Sequence, residues 1–406
     1  MEKITLPKGT KDIGDPEIFI WYHVENIVRQ EAAHYHYIEL RTPLFEHTEL
    51  FARGVGEETD IVQKEMYTFL DKGGRSVTLR PEGTAPVMRS YLEQSFHIHN
   101  PRMKYFYMGP MFRYERPQAG RMRQFHQFGF EAIGFQSPAA DAEIILLADR
   151  IYKKIGLKNI RLEINSLGCR KCKPQYLETL KNYLRNQAAQ FCKNCSNRIE
   201  TNPLRVLDCK NESCQNILHN ESFPIIQNFL CDECRTHQNH LIGILESAQI
   251  HPVINPYLVR GLDYYIKTTF EMKTEELGAQ NAIGGGGRYD TLSDALGVKS
   301  IPVVGFAARM ELIIRRLKKH GHAEGVKIAA GEATSYTIAL APPGIDRIFL
   351  HHPGTNNSFT SADIDYLLVK KCRHFHMGYP PLMRALYSNG GSELVECFRK
   401  AKKAGA

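Results

Sequence analysis

The sequence predicts an α+β protein, an antiparallel sheet flanked by helices with a mainly helical domain inserted into it. Three observations carry this. Residues Tyr105 to Phe135, YFYMGPMFRYERPQAGRMRQFHQFGFEAIGF, alternate apolar and polar side chains on both sides of a centre rich in arginine, proline and glycine. Strand-like stretches recur before and after it, separated by segments with apolar residues at helical spacing. Residues 166–245 interrupt that pattern and turn rich in Cys, Asn, Lys and Gln, the mark of a small inserted domain.

From the start, Pro16 to His36 places Phe19, Val24, Ile27, Val28 and Ala32 at helical spacing with no internal glycine or proline, which predicts a helix. YIELRTPLFE then turns extended. Pro43 has no amide hydrogen to donate, so it belongs at a strand edge or where a ladder is interrupted. A short helix, a loop and two strands around a turn at Asp71 to Gly74 follow, then a helix from Thr84, its expected N-cap. The long segment is a β-hairpin with strands Phe106 to Tyr114 and Gln124 to Ile133; Pro117 and Gly120 keep the loop out of either strand. Ala139 to Ile155 reads as a helix and Ile160 to Asn165 as a strand, and the insertion has helical pieces at Pro174 to Phe191 and around Pro224 to Glu246. Strand character returns in INPYLVRGLDYYIKTTFEMKT and AIGGGGRYD, then at Pro302 to Ala307, before a helix from Glu311 to His320. A linker, GHAEGVKIAAGEAT, leads to a final segment in which Ser392 to Ala404 has a helical pattern. The expected divisions are 1–165, 166–245, 246–325 and 326–406.

With 43% hydrophobic residues over 406 positions, there is material for proper cores. No apolar run reaches the length of a signal peptide's centre or of a bilayer span, which places the chain in the cytoplasm and away from membranes. Lys plus Arg exceeds Asp plus Glu by 52 to 44, an excess that permits a polyanionic partner without requiring one. Most of the ten cysteines crowd into the insertion of a long chain without export signals, which favours thiols or metal over disulfides.

Within the hairpin, Arg113, Gln127 and Glu131 share one parity and can point into a single cleft; a solvated face with ordinary charges is the alternative. Glu82, Arg260, Tyr264 and Tyr265 also lie at sheet segments, so a sheet-floored cleft would hold guanidiniums for phosphate oxygens and carboxylates for an ammonium or imidazole N–H. Glu82 could equally be a capping carboxylate. Gly284 to Gly287 fit neither a phosphate loop nor a dinucleotide fingerprint, and read as a close-approach strand or a turn. Cys169/Cys172, Cys192/Cys195 and Cys231/Cys234 each have the spacing for two ligands of a tetrahedral zinc, with Cys209/Cys214 a looser pair; reduced core cysteines are the alternative.

MFRYERPQAGRMRQFHQFGFEAIG resembles motif 2 of the class II aminoacyl-tRNA synthetases, specifically the histidyl-tRNA synthetase family, and LVRGLDYY and AIGGGGRYD resemble that family's histidine signatures. KGTKDI, the motif 1-like ELRTPLFEHTELFARGVGEETDIVQKEMYTF, LRPEGTAP and NSLGC with NPLRVLDCK extend the resemblance over residues 5 to 315. It implies a class II antiparallel sheet and a ligase that joins histidine to ATP, with Mg2+, and passes the histidyl group to the 3′ end of tRNA(His). Arg113 would hold the ATP α-phosphate and Arg260 would stabilise the charge growing there. Glu82, Gly83 and Thr84 would hold the histidine amino end, Gln127 would orient the amino acid, and Glu131, Tyr264 and Tyr265 would read the imidazole. The glycine run would floor that pocket. Arg116, Gln118, Arg121 and Arg123 in the hairpin loop would meet the tRNA acceptor stem, the insertion would help clasp it, and motif 1 with Pro43 would lie at a homodimer interface.

Two departures stand out. The family's motif 3 reads approximately GFA-x-G-x-ER; here it is GFAARMELII, with Arg309 at the glycine and Leu312 at the arginine, so Arg309, Arg315 or Arg316 must substitute or ATP binding suffers. The C-terminal α/β anticodon-binding domain is represented only by SELVECFRKAKKAGA, and 326–406 reads as partial or divergent. The alternative is a non-catalytic, synthetase-like regulatory subunit of ATP phosphoribosyltransferase.

Overall fold

The computed structural model describes all residues except 1–2, 58, 117–120, 275–281, 320–335, 341–347, 353, 371–374, 378–382 and 406. Pro117, Gln118, Gly120 and the linker after His320 therefore lie outside the described residues. Two compact units divide the chain, Met1–Leu317 and Lys318–Ala406, the break falling a little before the expected 325/326 boundary.

The first unit begins with α1 (Glu17–His34), β1 (Ile38–Glu39), β2 (Phe45–His47), α2 (Thr48–Val55), β3 (Tyr67–Leu70), β4 (Ser76–Leu79), α3 (Thr84–Glu93) and α4 (Phe96–His99). The hairpin strands β5 (Met103–Phe112) and β6 (Gln124–Ile133), α5 (Pro138–Ile155) and β7 (Ile160–Ser166) follow. The insertion supplies α6 (Lys173–Asn186), α7 (Lys193–Thr201), α8 (Glu212–Leu218) and α9 (Asp232–Ser247). Then come β8 (Val253–Ile254), β9 (Ile266–Thr274), β10 (Ala282–Arg288), α10 (Leu292–Ala295), β11 (Val303–Arg309) and α11 (Met310–Lys319).

Eight strands form the main sheet in the order β1-β5-β6-β11-β10-β9-β7-β8, antiparallel throughout except for the short edge strands β1 and β8. The extended run around Pro43 is cut in two. β1 joins the main sheet and β2 joins a small sheet with β4 and β3, while Pro43 sits between them, where no ladder needs its missing amide.

Alternation sorts the side chains of the hairpin. Phe106, Phe128 and Phe130 face a core with Phe270 and Phe306 under α1, α5, α9 and α11, where Phe130 stacks on Phe306 with rings 5.5 Å apart. Tyr105, Tyr107, Met111 and Phe125 face the opposite way, toward α3 and the insertion, whose apolar residues belong to the same cluster. On the first side, Asp141 of α5 is fully buried: it pairs with Arg288 of β10 at 2.7 Å and accepts from Thr268 of β9 at 2.5 Å. His237 of α9 lies 2.8 Å from the same carboxylate and ties the insertion to the core.

Two expectations change. LVRGLDYY is a loop, since β9 starts only at Ile266; Arg260, Tyr264 and Tyr265 precede the sheet rather than lie in it. Gly83, not Thr84, occupies the N-cap of α3, and the Glu82 carboxylate does the capping, accepting from Thr84 N–H at 2.7 Å and Ala85 N–H at 2.8 Å. In the second unit, β12 (Tyr336–Leu340) pairs antiparallel with β13 (Ile348–His352), and α12 (Tyr366–Val369) and α13 (Arg384–Ala404) follow. Non-helical backbone from Ser388 to Gly391 breaks α13, so its regular part is the stretch from Ser392. No helix among the described residues is long and apolar enough to cross a membrane.

Candidate active site

A cleft of about 380 Å³ opens on the face of the sheet that carries Tyr107 and Phe125, lined by Arg113, Gln127, Arg260, Glu271, Arg309 and Leu312 together with Gly284 and Gly285. Arg205, Asp208 and Lys210 reach it from the insertion, and Arg121 from the hairpin loop. Cations predominate. Two of them lie near the ring of Phe125, Arg309 at 4.0 Å and Arg113 at 5.4 Å from its centroid. Burial and then the like charge of Arg309 lower the pKa of Arg113, so an anion placed here would relieve both. Glu115 is the counter-charge: it pairs with Arg309 at 3.0 Å and Arg113 at 3.8 Å, and these cations outweigh burial and hold it below the usual carboxylate range.

Arg260 enters from the loop before β9 and pairs with Glu271 at 2.5 Å. It crosses directly over the glycine run: a Cβ on Gly285 would stand 2.6 Å from its guanidinium. Gln127 is buried opposite Arg309 in the β6–β11 register, and its Oε1 has no hydrogen-bond partner among the described residues.

Beside the cleft a second group of polar side chains is almost wholly buried. Glu131 accepts from Thr84 Oγ1–H at 2.8 Å and from the Tyr289 hydroxyl, and burial pushes its pKa up to about 8 against the pull of those two bonds. Tyr264 packs on Tyr265 at 4.8 Å and on Tyr289 at 5.4 Å between ring centroids. Gly83 leaves room for Tyr107, whose ring would be 2.3 Å from a Cβ at that position. Burial also raises Glu82, although its two backbone donors pull the other way. Glu82 thus spends both oxygens on the helix cap, the plainer of its two sequence-level readings.

Glu82, Gly83, Thr84, Arg113, Gln127, Glu131, Arg260, Tyr264 and Tyr265 therefore come together. Among the loop residues, Arg116 is exposed, Arg121 pairs with Glu115 at 3.5 Å, and Arg123 stacks on Tyr114 at 3.8 Å; Gln118 is outside the described residues. Sequence reasoning passed over Tyr107, Glu115, Glu271 and Tyr289. Tyr107 shares the alternation of Arg113 along β5, and Tyr289 ends the quoted GGGGRYD, so both had a signal. Of the three arginines weighed for motif 3, Arg309 lines the cleft, Arg315 is exposed, and Arg316 is buried where it donates to Lys158 O at 3.4 Å. Leu312 is buried at the cleft wall.

The cysteines do not group by their C-x-x-C neighbours alone. Cys169 and Cys172 meet Cys231 and Cys234, while Cys192 and Cys195 meet Cys209 and Cys214, so the two N-terminal pairs do not share a site.

The profile of the family described as Histidyl-tRNA synthetase matches residues 9–313. The chain is 48% identical over 365 residues to a protein of Halothermothrix orenii named histidine–tRNA ligase, covering 90% of this chain and 86% of that one. It is similar to the apo histidyl-tRNA synthetase of S. aureus, with a TM-score of 0.64 and 37% identity over 80% of this chain and 75% of the other. A Bacillus halodurans C protein described as an ATP phosphoribosyltransferase regulatory subunit/histidyl-tRNA synthetase shares the fold, with a TM-score of 0.58 at 22% identity over 78% and 84% of the two chains.

Proposed function

The chain belongs to the histidyl-tRNA synthetase family, and on that footing we propose that it is a histidine–tRNA ligase, an aminoacyl-tRNA ligase that makes histidyl-adenylate from histidine and ATP and transfers the histidyl group to the 3′ end of tRNA(His). The observation that carries the reading is the juxtaposition of a guanidinium-lined cleft, floored by Gly285, with the buried Glu131 and its tyrosines.

A carboxylate oxygen of histidine attacks the α-phosphorus of ATP, the bond to the bridging oxygen breaks, and pyrophosphate leaves. No side-chain nucleophile is needed. Arg113 and Arg260, both lining the cleft, would bring positive charge to that phosphate, where charge accumulates in the transition state. Magnesium bound with the nucleotide would neutralise phosphate charge, and Glu115 and Glu271, hard oxygen donors facing the same cleft, are the side chains that would hold it. Glu131 and the tyrosines accept and donate to the imidazole, Gln127 orients the amino acid through its free Oε1, and Thr84 with Gly83 and Glu82 frames the amino end. An amino acid without matching groups would leave those buried atoms unpaired.

Arg309 stands in for the motif 3 arginine absent at Leu312. Its guanidinium lies 4.0 Å from the Phe125 ring centroid at the cleft wall, and it is shared with Glu115 at 3.0 Å, so its charge is available to the nucleotide when that pairing loosens. Arg121 beside the hairpin loop and the insertion's Arg205 and Lys210, which line the cleft, meet the acceptor end of tRNA, and a second copy of the chain covers the exposed Leu44, Phe45, Phe69 and Leu70 around Pro43.

Histidine-dependent exchange of pyrophosphate into ATP tests the reading. Exchange is expected, Arg260→Ala slows it at least about 100-fold with little change in histidine affinity, and Arg309→Ala raises the KM for ATP about tenfold. Histidine binding without any exchange would overturn the ligase in favour of a histidine-sensing subunit.

A further inference from the structure

We propose that the inserted domain is built on two structural zinc ions, each held by four cysteines: Cys169, Cys172, Cys231 and Cys234 at the first site, and Cys192, Cys195, Cys209 and Cys214 at the second.

Sulfur geometry argues for a single metal ion in each group. The Sγ atoms of Cys169 and Cys172 are 3.8 Å apart, those of Cys169 and Cys231 3.7 Å, those of Cys172 and Cys234 3.8 Å, and those of Cys192 and Cys209 3.9 Å. Within each group all four sulfurs lie within 4.8 Å of one another. A tetrahedron of thiolates with Zn–S bonds of about 2.3 Å has edges of about 3.8 Å. A disulfide would instead need sulfurs about 2 Å apart, and a polynuclear iron–sulfur cluster would hold its four cysteines on separate irons with their sulfurs further apart. Reduced cysteines packed merely as small apolar residues have no reason to converge four at a time, twice.

Local backbone fits the same role. Main-chain N–H groups donate to the sulfurs: Cys169 N to Cys172 Sγ at 3.2 Å, Lys171 N to Cys169 Sγ at 3.4 Å, Cys192 N to Cys214 Sγ at 3.3 Å and Asn211 N to Cys209 Sγ at 3.4 Å. Such donors stabilise thiolate charge and fix ligand direction. Cys172, Cys192 and Cys231 each occupy the N-cap position of a helix, α6, α7 and α9, where the helix dipole favours negative charge. All four positions of each site are accounted for by protein, the closed arrangement of a structural rather than a catalytic zinc.

The placement explains what the metals do. The first site joins the residues just after β7 to the start of α9 and so staples the two ends of the insertion together beside the sheet. The second joins α7, α8 and the intervening loop, which presents Arg205, Asp208 and Lys210 to the cleft. The elements bridged are short, with α7 and α8 spanning 9 and 7 residues, and bury too little apolar surface to hold that loop unaided.

The test is elemental analysis of the full chain, purified under thiol-reducing conditions and dialysed against a weak chelator, with two zinc per chain expected. The pair of changes Cys231→Ala and Cys234→Ala leaves one, and Cys209→Ala with Cys214→Ala leaves the other. Should those variants fail to fold, titration of the unmodified chain with a mercurial decides, two zinc ions appearing at a chromophoric indicator as the eight site thiols among the ten of the chain are blocked. One zinc or less per chain, iron in its place, or thiols that titrate without releasing zinc overturns the proposal.

Discussion

Glu131 is a carboxyl held between two hydroxyl donors where water does not reach, and its chemistry follows from that position. Its pKa in the folded chain, raised to about 8 from an ordinary 4.5, means that the protonated form favours folding. This contribution is complete below the unfolded value and is lost as pH rises through the folded one. The melting temperature of the free protein should therefore fall between about pH 4.5 and pH 8 and level off above that, Glu131→Gln should flatten that fall, and histidine should offset it by giving the ionised carboxylate an imidazole N–H to accept. The same substitution should raise the KM for histidine about 10- to 100-fold, the usual consequence of removing one partner of a buried charged hydrogen bond. A Tm profile identical in wild type and Glu131→Gln would mean that another group carries the titration. Arg309 gives the complementary lesson: read in sequence it is only an intrusion at a glycine, whereas its stacking on Phe125 depends on strand pairing that brings Arg309 opposite Gln127.

At the level of elements, the hairpin was legible because both strands alternate without interruption and one set of positions must be apolar to build a core. Arg113, Gln127 and Glu131 fell on the other set, and their convergence follows from the pleat. LVRGLDYY misled for the opposite reason. Its apolar and aromatic residues serve a pocket, since Tyr264 and Tyr265 pack on Tyr289, and Lys267, the second residue of β9, has a left-handed backbone with φ of 47°. The pairing of Cys169 and Cys172 with Cys231 and Cys234 was out of reach because those partners are more than sixty residues apart and meet only where the fold brings the start of α9 beside the segment that leads into α6. The hairpin loop carries its own expectation. Arg116→Ala should weaken tRNA binding and reduce its salt dependence by about one phosphate contact, while pyrophosphate exchange changes less than about twofold. Equal losses in exchange and in tRNA charging would place Arg116 in the activation step instead.

For the whole molecule, the exposed apolar side chains of the small sheet are the feature a single copy leaves unexplained. Phe45 is 56% and Leu70 70% exposed, close to Pro43 where the ladder stops. Sedimentation should give a dimer, and Phe45→Glu with Leu70→Glu should shift it to monomer at micromolar concentration; a wild-type monomer would end that reading. Composition marks residues 166–245 as a cysteine- and asparagine-rich stretch, yet Met1–Leu317 forms one compact unit that includes it. What composition hides is how firmly the two parts are joined. Asp141, with no exposure to water, depends on Arg288 and Thr268 from the sheet and on His237 from α9, while Leu241 and Leu245 of the same helix complete the core beneath the main sheet. The insertion is therefore not a detachable cassette: excising it would strip a buried anion of one neighbour and uncover the sheet, so any lineage or design that shortens this segment must keep α9 and rewrite only what lies before it.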